Sequence, residues 1–408
     1  MTKENVARIC DRIAEYCIYG LIAALPVSGA AIEVFSALAI LAFMVKKVLI
    51  PDFRLFKVGR FGWVSLLLFT FFMALSLLNA GPYLGKSLRA LFSKWIENMF
   101  VFLAVADTFS HPRRIRNAVI LFLVSSAIVS FSGLSQRFLH FEFLRRKPMH
   151  PVFGNVYAMT SSFGHHNGFA AYLITVLPFG ISLGFLRSDL RYRFGIFCYT
   201  ALLMICLFFT FSRGAWIGFM CGGILCLCLL HKYKAAFLLL AGFCLAIGFV
   251  PELRERVLLS FGQLGDAHRI AIWQGSLGII RDAPLFGKGV GTFMEYSPGY
   301  ITGLGAQYAH NCYLQIWAET GLLSLSCFFL FLGTILAAGK KALNIQPLMP
   351  ASYVTAATMS GIIAFLVHGF FDVHFYSAQL SALFWLMAGL LFAEIRISPG
   401  TGSVAHRL

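Results

Sequence analysis

The chain has 408 residues, of which 59% are hydrophobic and only 12% charged, against about 25% charged in an average soluble domain. With 43 phenylalanines and a mean hydropathy of +0.79, this composition excludes an ordinary water-solvated fold and points to a chain solvated by lipid. The formal charge of +16 does not indicate a nucleic-acid partner, because the cations sit in short connections between apolar runs.

Taken in chain order, the apolar runs predict helices over Ile13–Leu25, Ala30–Val45, Gly62–Leu78, Trp95–Ala106, Ala118–Leu134 and Gly168–Leu186. They continue over Gly195–Thr210, Ala215–Leu230, Ala235–Val250, Cys312–Ala338, Tyr353–Gly369 and Ala378–Ala393. The expected fold class is therefore all-α, a single polytopic domain over residues 1–408 with about twelve transmembrane helices. The run Trp95–Ala106 is the weakest of these. The first two runs are divided only by Pro26-Val27-Ser28-Gly29, so they also fit one broken helix, which would make eleven. The polar N-terminal residues read as a cytoplasmic lead-in, not a cleaved signal peptide. The ten cysteines fall mostly inside apolar runs, where Cys acts as a small hydrophobe, and form no disulfide framework. The one long hydrophilic connection, residues 251–310, is expected to cap the membrane domain with short amphipathic helices at Leu253–Phe261 and Ile270–Ile280.

Cation counting sets the orientation. With the N-terminus inside, the majority of Lys and Arg fall in cytoplasmic loops, and an even helix count returns the C-terminus to the cytoplasm. Loop 251–310 is then periplasmic. The remaining outward cations are Lys86/Arg89/Lys94, Arg137/Arg145/Arg146/Lys147, the lone Arg213, and Arg254/Arg256/Arg269/Arg281/Lys288. Cations kept outside against the insertion bias suggest an anionic ligand on that face.

Three constellations carry candidate chemistry. In Phe211-Ser212-Arg213-Gly214-Ala215-Trp216 a tight turn between two apolar runs has one charge, a guanidinium suited to bidentate phosphate binding. Its bland reading is an Arg snorkelling to the interface with Trp216 in the aromatic belt. In His268-Arg269-x-x-x-Trp273, running on to Asp282-x-Pro284-x-x-Gly287-Lys288-Gly289-Val290-Gly291, Arg269 opens an amphipathic helix. The glycines there could bring backbone N–H groups to an anion, although no strand precedes them as a nucleotide loop requires. In His310-Asn311-Cys312 and onward, Asn311, Gln315 and Glu319 form one polar stripe at i, i+4 and i+8. His310 is favoured for chemistry and Glu319 for a structural role. Weaker signals are His165-His166 and Asp372-Val373-His374; no ligand spacing is diagnostic, and no metal site or cofactor is expected.

The ordered set Ser212-Arg213-Gly214, Arg269-x-x-x-Trp273 with Asp282-x-Pro284-x-x-Gly287, and His310-Asn311-x-x-Leu314-x-x-x-x-Glu319-x-Gly321 resembles the O-antigen ligase superfamily of bacterial envelope glycosyltransferases. That superfamily also holds O-antigen polymerases and protein O-oligosaccharyltransferases; the modest length fits the lipopolysaccharide ligases best. The resemblance implies transfer of a polysaccharide from an undecaprenyl-pyrophosphate-linked glycan donor to a sugar hydroxyl of lipid A–core, at the periplasmic face of the bacterial inner membrane. Arg213 and Arg269 would stabilise the pyrophosphate. His310 would serve as the base, since imidazole as a class titrates near neutrality. Asn311, Gln315, Lys86 and Arg89 are further substrate-binding candidates. Absence of a glycosidase-type carboxylate pair or an Asp-x-Asp motif is consistent with an inverting, metal-independent displacement. Partners are the two glycolipids and membrane lipids. A polymerase with the same donor chemistry is the first alternative. A transporter or flippase is the second, although the charges gather at one face instead of at mid-membrane as a carrier's would.

Overall fold

The computed structural model describes residues 2–52, 60–259, 263–301, 303, 305, 307–345 and 349–397, with backbone alone at 60 and 263–267. Each of the twelve apolar runs falls largely within helix, with a break at Gly321 in the run Cys312–Ala338. These are α1 (Lys3–Ala24), α2 (Gly29–Leu49) and α3 (Arg60–Ser76), then, after α4 (Leu84–Ala90) and a π-helical turn at Leu91–Ile96, α5 (Glu97–Thr108) and α6 (Pro112–Phe138). There follow α7 (His166–Leu183), α8 (Leu190–Phe209), α9 (Arg213–Leu229) and α10 (Tyr233–Phe249). The loop segment carries α11 (Pro251–Leu258), α12 (Gln263–Asp282) and α13 (Phe293–Tyr296), and the chain finishes with α14 (Cys312–Ile345), α15 (Pro350–His368) and α16 (Ala378–Ile397). Among the described residues, seven helices are long and apolar enough to cross a membrane by length and composition, or eight if the pair α10 and α11, bent by 91°, is counted as one span. The chain is a multi-pass, predominantly helical membrane protein in this sense.

Two features differ from the sequence expectation, the N-terminal lead-in and a short hairpin, while the first two runs form separate helices as expected. The polar N-terminal residues belong to α1 itself, whose Asp11 and Glu15 face the protein. The segment Pro26–Ser28 separates two antiparallel helices, as Lys46 near the end of α2 reaches back to Asp11 near the start of α1 at 2.5 Å. The chain also contains a small antiparallel hairpin, β1 (His150–Phe153) with β2 (Val156–Ala158), in a second extended connection between α6 and α7. Runs of mixed polarity around Pro148, Pro151 and Gly154 conceal this short strand pairing.

α7, α15 and α16 form the interior: nearly every residue of α16 from Leu380 to Ile395 is buried. α15 packs against α7 and α9, and α16 against α5. Close approach depends on small residues, because a Cβ on Gly218 or Gly222 of α9 would lie 2.6–2.7 Å from the α15 carbonyls of Ala364 and Ser360, and one on Gly361 would lie 2.3 Å from Thr175 O of α7. Without a hydrophobic drive between helices in lipid, such backbone contact is how they associate. At one end of the bundle Lys46 and Lys47 pair with Asp107 at 2.7 and 2.6 Å, and Arg114 holds Asp11 and Glu15 at 2.7 and 2.8 Å. Arg396, at the end of α16, donates to Asp107 O there. α16 rises about 30 Å from its first residue to this end. Its start, beside residues 372–376, therefore marks the opposite end, where the candidate functional residues collect.

Candidate functional site

The site is built on a break in α14. Gly321 has φ +83°, which leaves the carbonyls of Ala318 and Glu319 without their helical donors. Segment 284–291 supplies replacements: Lys288 N–H donates to Ala318 O at 2.9 Å and Gly289 N–H to Glu319 O at 2.8 Å. In return Leu322 N–H donates to Pro284 O at 2.9 Å. The contact is so close that a Cβ on Gly287 (φ +68°) would sit 2.3 Å from the Glu319 backbone, and one on Gly321 2.0 Å from Leu285 O. Buried Glu319 completes the junction by accepting from Gly291 N–H at 2.6 Å, Phe293 N–H at 3.2 Å, Gln315 Nε2 at 3.2 Å and the Tyr376 hydroxyl at 2.6 Å. On the other side Asn79 Nδ2 donates to Gly287 O and Ser76 Oγ accepts from Val290 N–H.

This corrects one sequence expectation. The amides of the glycine-rich stretch are taken up by α14 and α3, Gly291 N–H by the Glu319 carboxylate itself, so they are not turned toward a bound ligand. The same junction explains why Asp282-x-Pro284-x-x-Gly287 and Glu319-x-Gly321 occur together.

His310 stands just before α14, at φ +46°. Its position is set from three sides. Asn311 Oδ1 caps α14 by accepting from Tyr313 and Leu314 N–H at 2.9 and 3.0 Å. Gln315 is fully buried, and its Oε1 accepts from Ala309 N–H at 3.2 Å. Both side chains thus hold the histidine's backbone. Cys312 clasps the α15–α16 turn: its N–H donates to Gly369 O at 2.7 Å, its Sγ to Asp372 O at 3.1 Å, and it accepts from His374 N–H at 3.1 Å. The clasp brings Asp372 Oδ1 to 3.6 Å from His310 Nδ1, close enough for charge pairing and a small rotation short of a hydrogen bond. Burial opposes ionisation of Asp372, but the His310 imidazole, then His374 and His368, and the Val373 N–H outweigh it and hold the carboxyl far below the usual range.

Three arginines lie within charge range of one another on neighbouring elements. Arg213 is the first residue of α9, after Phe211 (φ +50°) and the N-cap Ser212. Arg256, on α11, donates from Nε to Phe211 O at 3.1 Å and lies 5.6 Å over the Phe153 ring of the hairpin. Arg269, on α12, precedes by one turn Trp273, whose Nε1 donates to Ala309 O at 3.1 Å, next to His310. The charges of Arg213 and Arg269 both act on Arg256. Trp216 is buried against Phe208 and Phe243, donating to Leu207 O, and so is a core residue, not a belt anchor.

The α6–α7 connection closes the site. Met159 N–H donates to Phe209 O at 2.9 Å, and His166 Nδ1 lies 2.9 Å from Thr210 O, which docks the connection on the end of α8. His165, at the N-cap of α7, feels the charges of Asp372 and His310; burial pushes its imidazole below the ordinary histidine range while Asp372 opposes the shift.

Arg213, Arg269 and His310 are therefore assembled from α9, α12 and the entry to α14. Of the other substrate-binding candidates, Lys86 ion-pairs with Glu295 of α13, and Arg89 O accepts from Ser93 Oγ. Sequence reasoning missed Arg256, which nothing local distinguishes from exposed Arg254, and it missed Asp372 as the partner of His310 across 62 residues of chain.

A multi-pass helical membrane protein with a basic cluster around a histidine–carboxylate pair is the class these features define. Residues 198–329, which include Arg213, Arg256, Arg269 and His310, match the family model described as Wzy_C, O-Antigen ligase. The match supports a member of the O-antigen ligase and polymerase superfamily. No curated protein matches the chain.

Proposed function

We propose that the chain is an inverting O-antigen ligase acting at the periplasmic face of the bacterial inner membrane. It would move a glycan from undecaprenyl pyrophosphate to a sugar hydroxyl of lipid A–core. The observation that carries this reading is the grouping of Arg213, Arg256 and Arg269, with Trp273 one turn past Arg269 bonded to the residue before His310, together with the His310–Asp372 pair. In the proposed step His310 takes the proton of the acceptor hydroxyl as its oxygen attacks the anomeric carbon. The bond from that carbon to the phosphate oxygen breaks, and its electron pair leaves with the pyrophosphate. That leaving group is already anionic and needs cations, not a proton, which suits a guanidinium cluster. Asp372 orients His310 and stabilises the imidazolium until the proton passes to water. Asn311 and Gln315 shape the backbone that presents His310, and Lys86 and Arg89 would add cations for the anionic donor.

The topology proposed with it has about twelve crossings, both termini cytoplasmic and loop 251–310 periplasmic. Supporting this, the ion-pair network of Asp11, Lys46, Lys47, Asp107 and Arg114 sits at the end opposite the site. A polymerase shares the donor chemistry and differs in its acceptor. The test is the glycan profile of cells lacking the protein and complemented with His310→Ala. A ligase leaves full-length glycan on the lipid carrier in both cases. Single repeat units attached to core indicate a polymerase, and normal attachment with His310→Ala refutes the base assignment.

A further inference from the structure

The sequence places His165 and His166 together, and folding adds a third imidazole. The β1 strand carries His150 into contact with them: ring centroids are 4.5 Å apart for His150–His165, 5.0 Å for His150–His166 and 4.2 Å for His165–His166. One ring nitrogen from each lies within 4.8 Å of the others. We propose that His150, His165 and His166 form a three-histidine site for a borderline transition-metal ion, best matched by Zn²⁺, at the rim of the arginine cluster. This inference is independent of the transferase reading and of the metal-free displacement proposed for it.

The arrangement of His166 is the strongest support. Its Nδ1 faces the Thr210 carbonyl at 2.9 Å, and a carbonyl only accepts, so Nδ1 carries the proton and the lone pair is on Nε2. A backbone carbonyl fixing the tautomer in this way is the usual outer-shell arrangement of a metal-binding histidine. His150 Nδ1 is shut off from solvent and has no hydrogen-bond partner. His165 Nδ1 accepts only a long 3.2 Å contact from Asn167 N–H, which a ring rotation can release. Tetrahedral zinc with Zn–N bonds of about 2.0–2.1 Å needs ligand nitrogens about 3.4 Å apart, so closure draws these nitrogens in from within 4.8 Å of one another. Three neutral imidazoles suit zinc, copper or nickel and disfavour magnesium or calcium, which prefer oxygen. A fourth position stays open to water or an anion. The positive charge of Arg256 reaches His166, so an anionic fourth ligand is favoured there.

The experiment uses full-length protein without a polyhistidine tag, purified in detergent and stripped with chelator. Titration with Co²⁺ should give the visible bands of four-coordinate, nitrogen-ligated cobalt at one ion per chain, and Zn²⁺ should displace it. His150→Ala and His166→Ala should each weaken Co²⁺ binding at least tenfold, whereas His231→Ala, at the α9–α10 junction, should not. Zn²⁺ should raise the unfolding midpoint of the wild type and of His231→Ala, but not of the two site variants. Should either site variant fail to fold, X-ray absorption on the zinc-loaded wild type decides by counting imidazole ligands. Absent four-coordinate bands, unchanged binding in both site variants, or fewer than two imidazoles around zinc would overturn the proposal.

Discussion

Replacing Asp372 by Asn removes a charge while keeping the shape of the side chain and its acceptor oxygen. The Cys312 clasp uses the backbone carbonyl of Asp372, so the fold of the α15–α16 turn should survive. At 3.6 Å, a carboxylate and an imidazolium attract by about 4.6 kcal/mol at an effective dielectric of about 20. The His310 side chain is 35% exposed, and screening reduces this by roughly half, to about 2 kcal/mol. That attraction exists only once His310 has accepted the proton, so its loss falls on the transition state and not on donor binding. Asp372→Asn should therefore lower kcat about 30-fold with donor KM nearly unchanged. The assay is glycan transfer by purified protein from lipid-linked donor to lipid A–core, followed by the mobility shift of the acceptor. In a His310→Ala background the same substitution should have no further effect on kcat. A kcat within threefold of wild type, or equal losses in both backgrounds, refutes the dyad.

Two more outcomes test the rest of the site. Arg256→Lys keeps the charge but loses the Nε contact to Phe211 O and the planar fork; a charge-assisted hydrogen bond of roughly 1.5–3 kcal/mol predicts a 10- to 100-fold fall in kcat/KM for the donor, with Arg254→Lys unaffected. Gly287→Ala puts a methyl group 2.3 Å from the Glu319 backbone at a positive φ, so the junction between segment 284–291 and α14 should loosen by roughly 3 kcal/mol or more, seen as a lower unfolding midpoint in detergent; an unchanged midpoint sinks the structural account of the glycines.

Much of this molecule was legible in its sequence. Lipid solvation forces backbone polar groups to pair within a segment, so long apolar runs become helices, and among the described residues seven or eight are long and apolar enough to cross a membrane. The isolation of Arg213 in a charge-poor turn and the place of His310 at the entry to an apolar run also marked them before any contact was known. What periodicity cannot express is which helix ends meet. Asp372 reaches His310 only because Cys312 clasps a turn formed far along the chain, and Arg256 joins Arg213 only because its guanidinium finds the Phe211 carbonyl. The glycine-rich stretch resembled an anion cradle because sequence shows that amides are accessible without showing what accepts from them; the broken helix at Gly321 supplies that acceptor. The cations expected to face outward were thus read from composition and the proposed topology. Their division into a three-arginine cluster at the site and a remainder engaged elsewhere, such as Lys86 with Glu295, was decided by tertiary contacts alone, since charge acts over distances that only the folded chain defines.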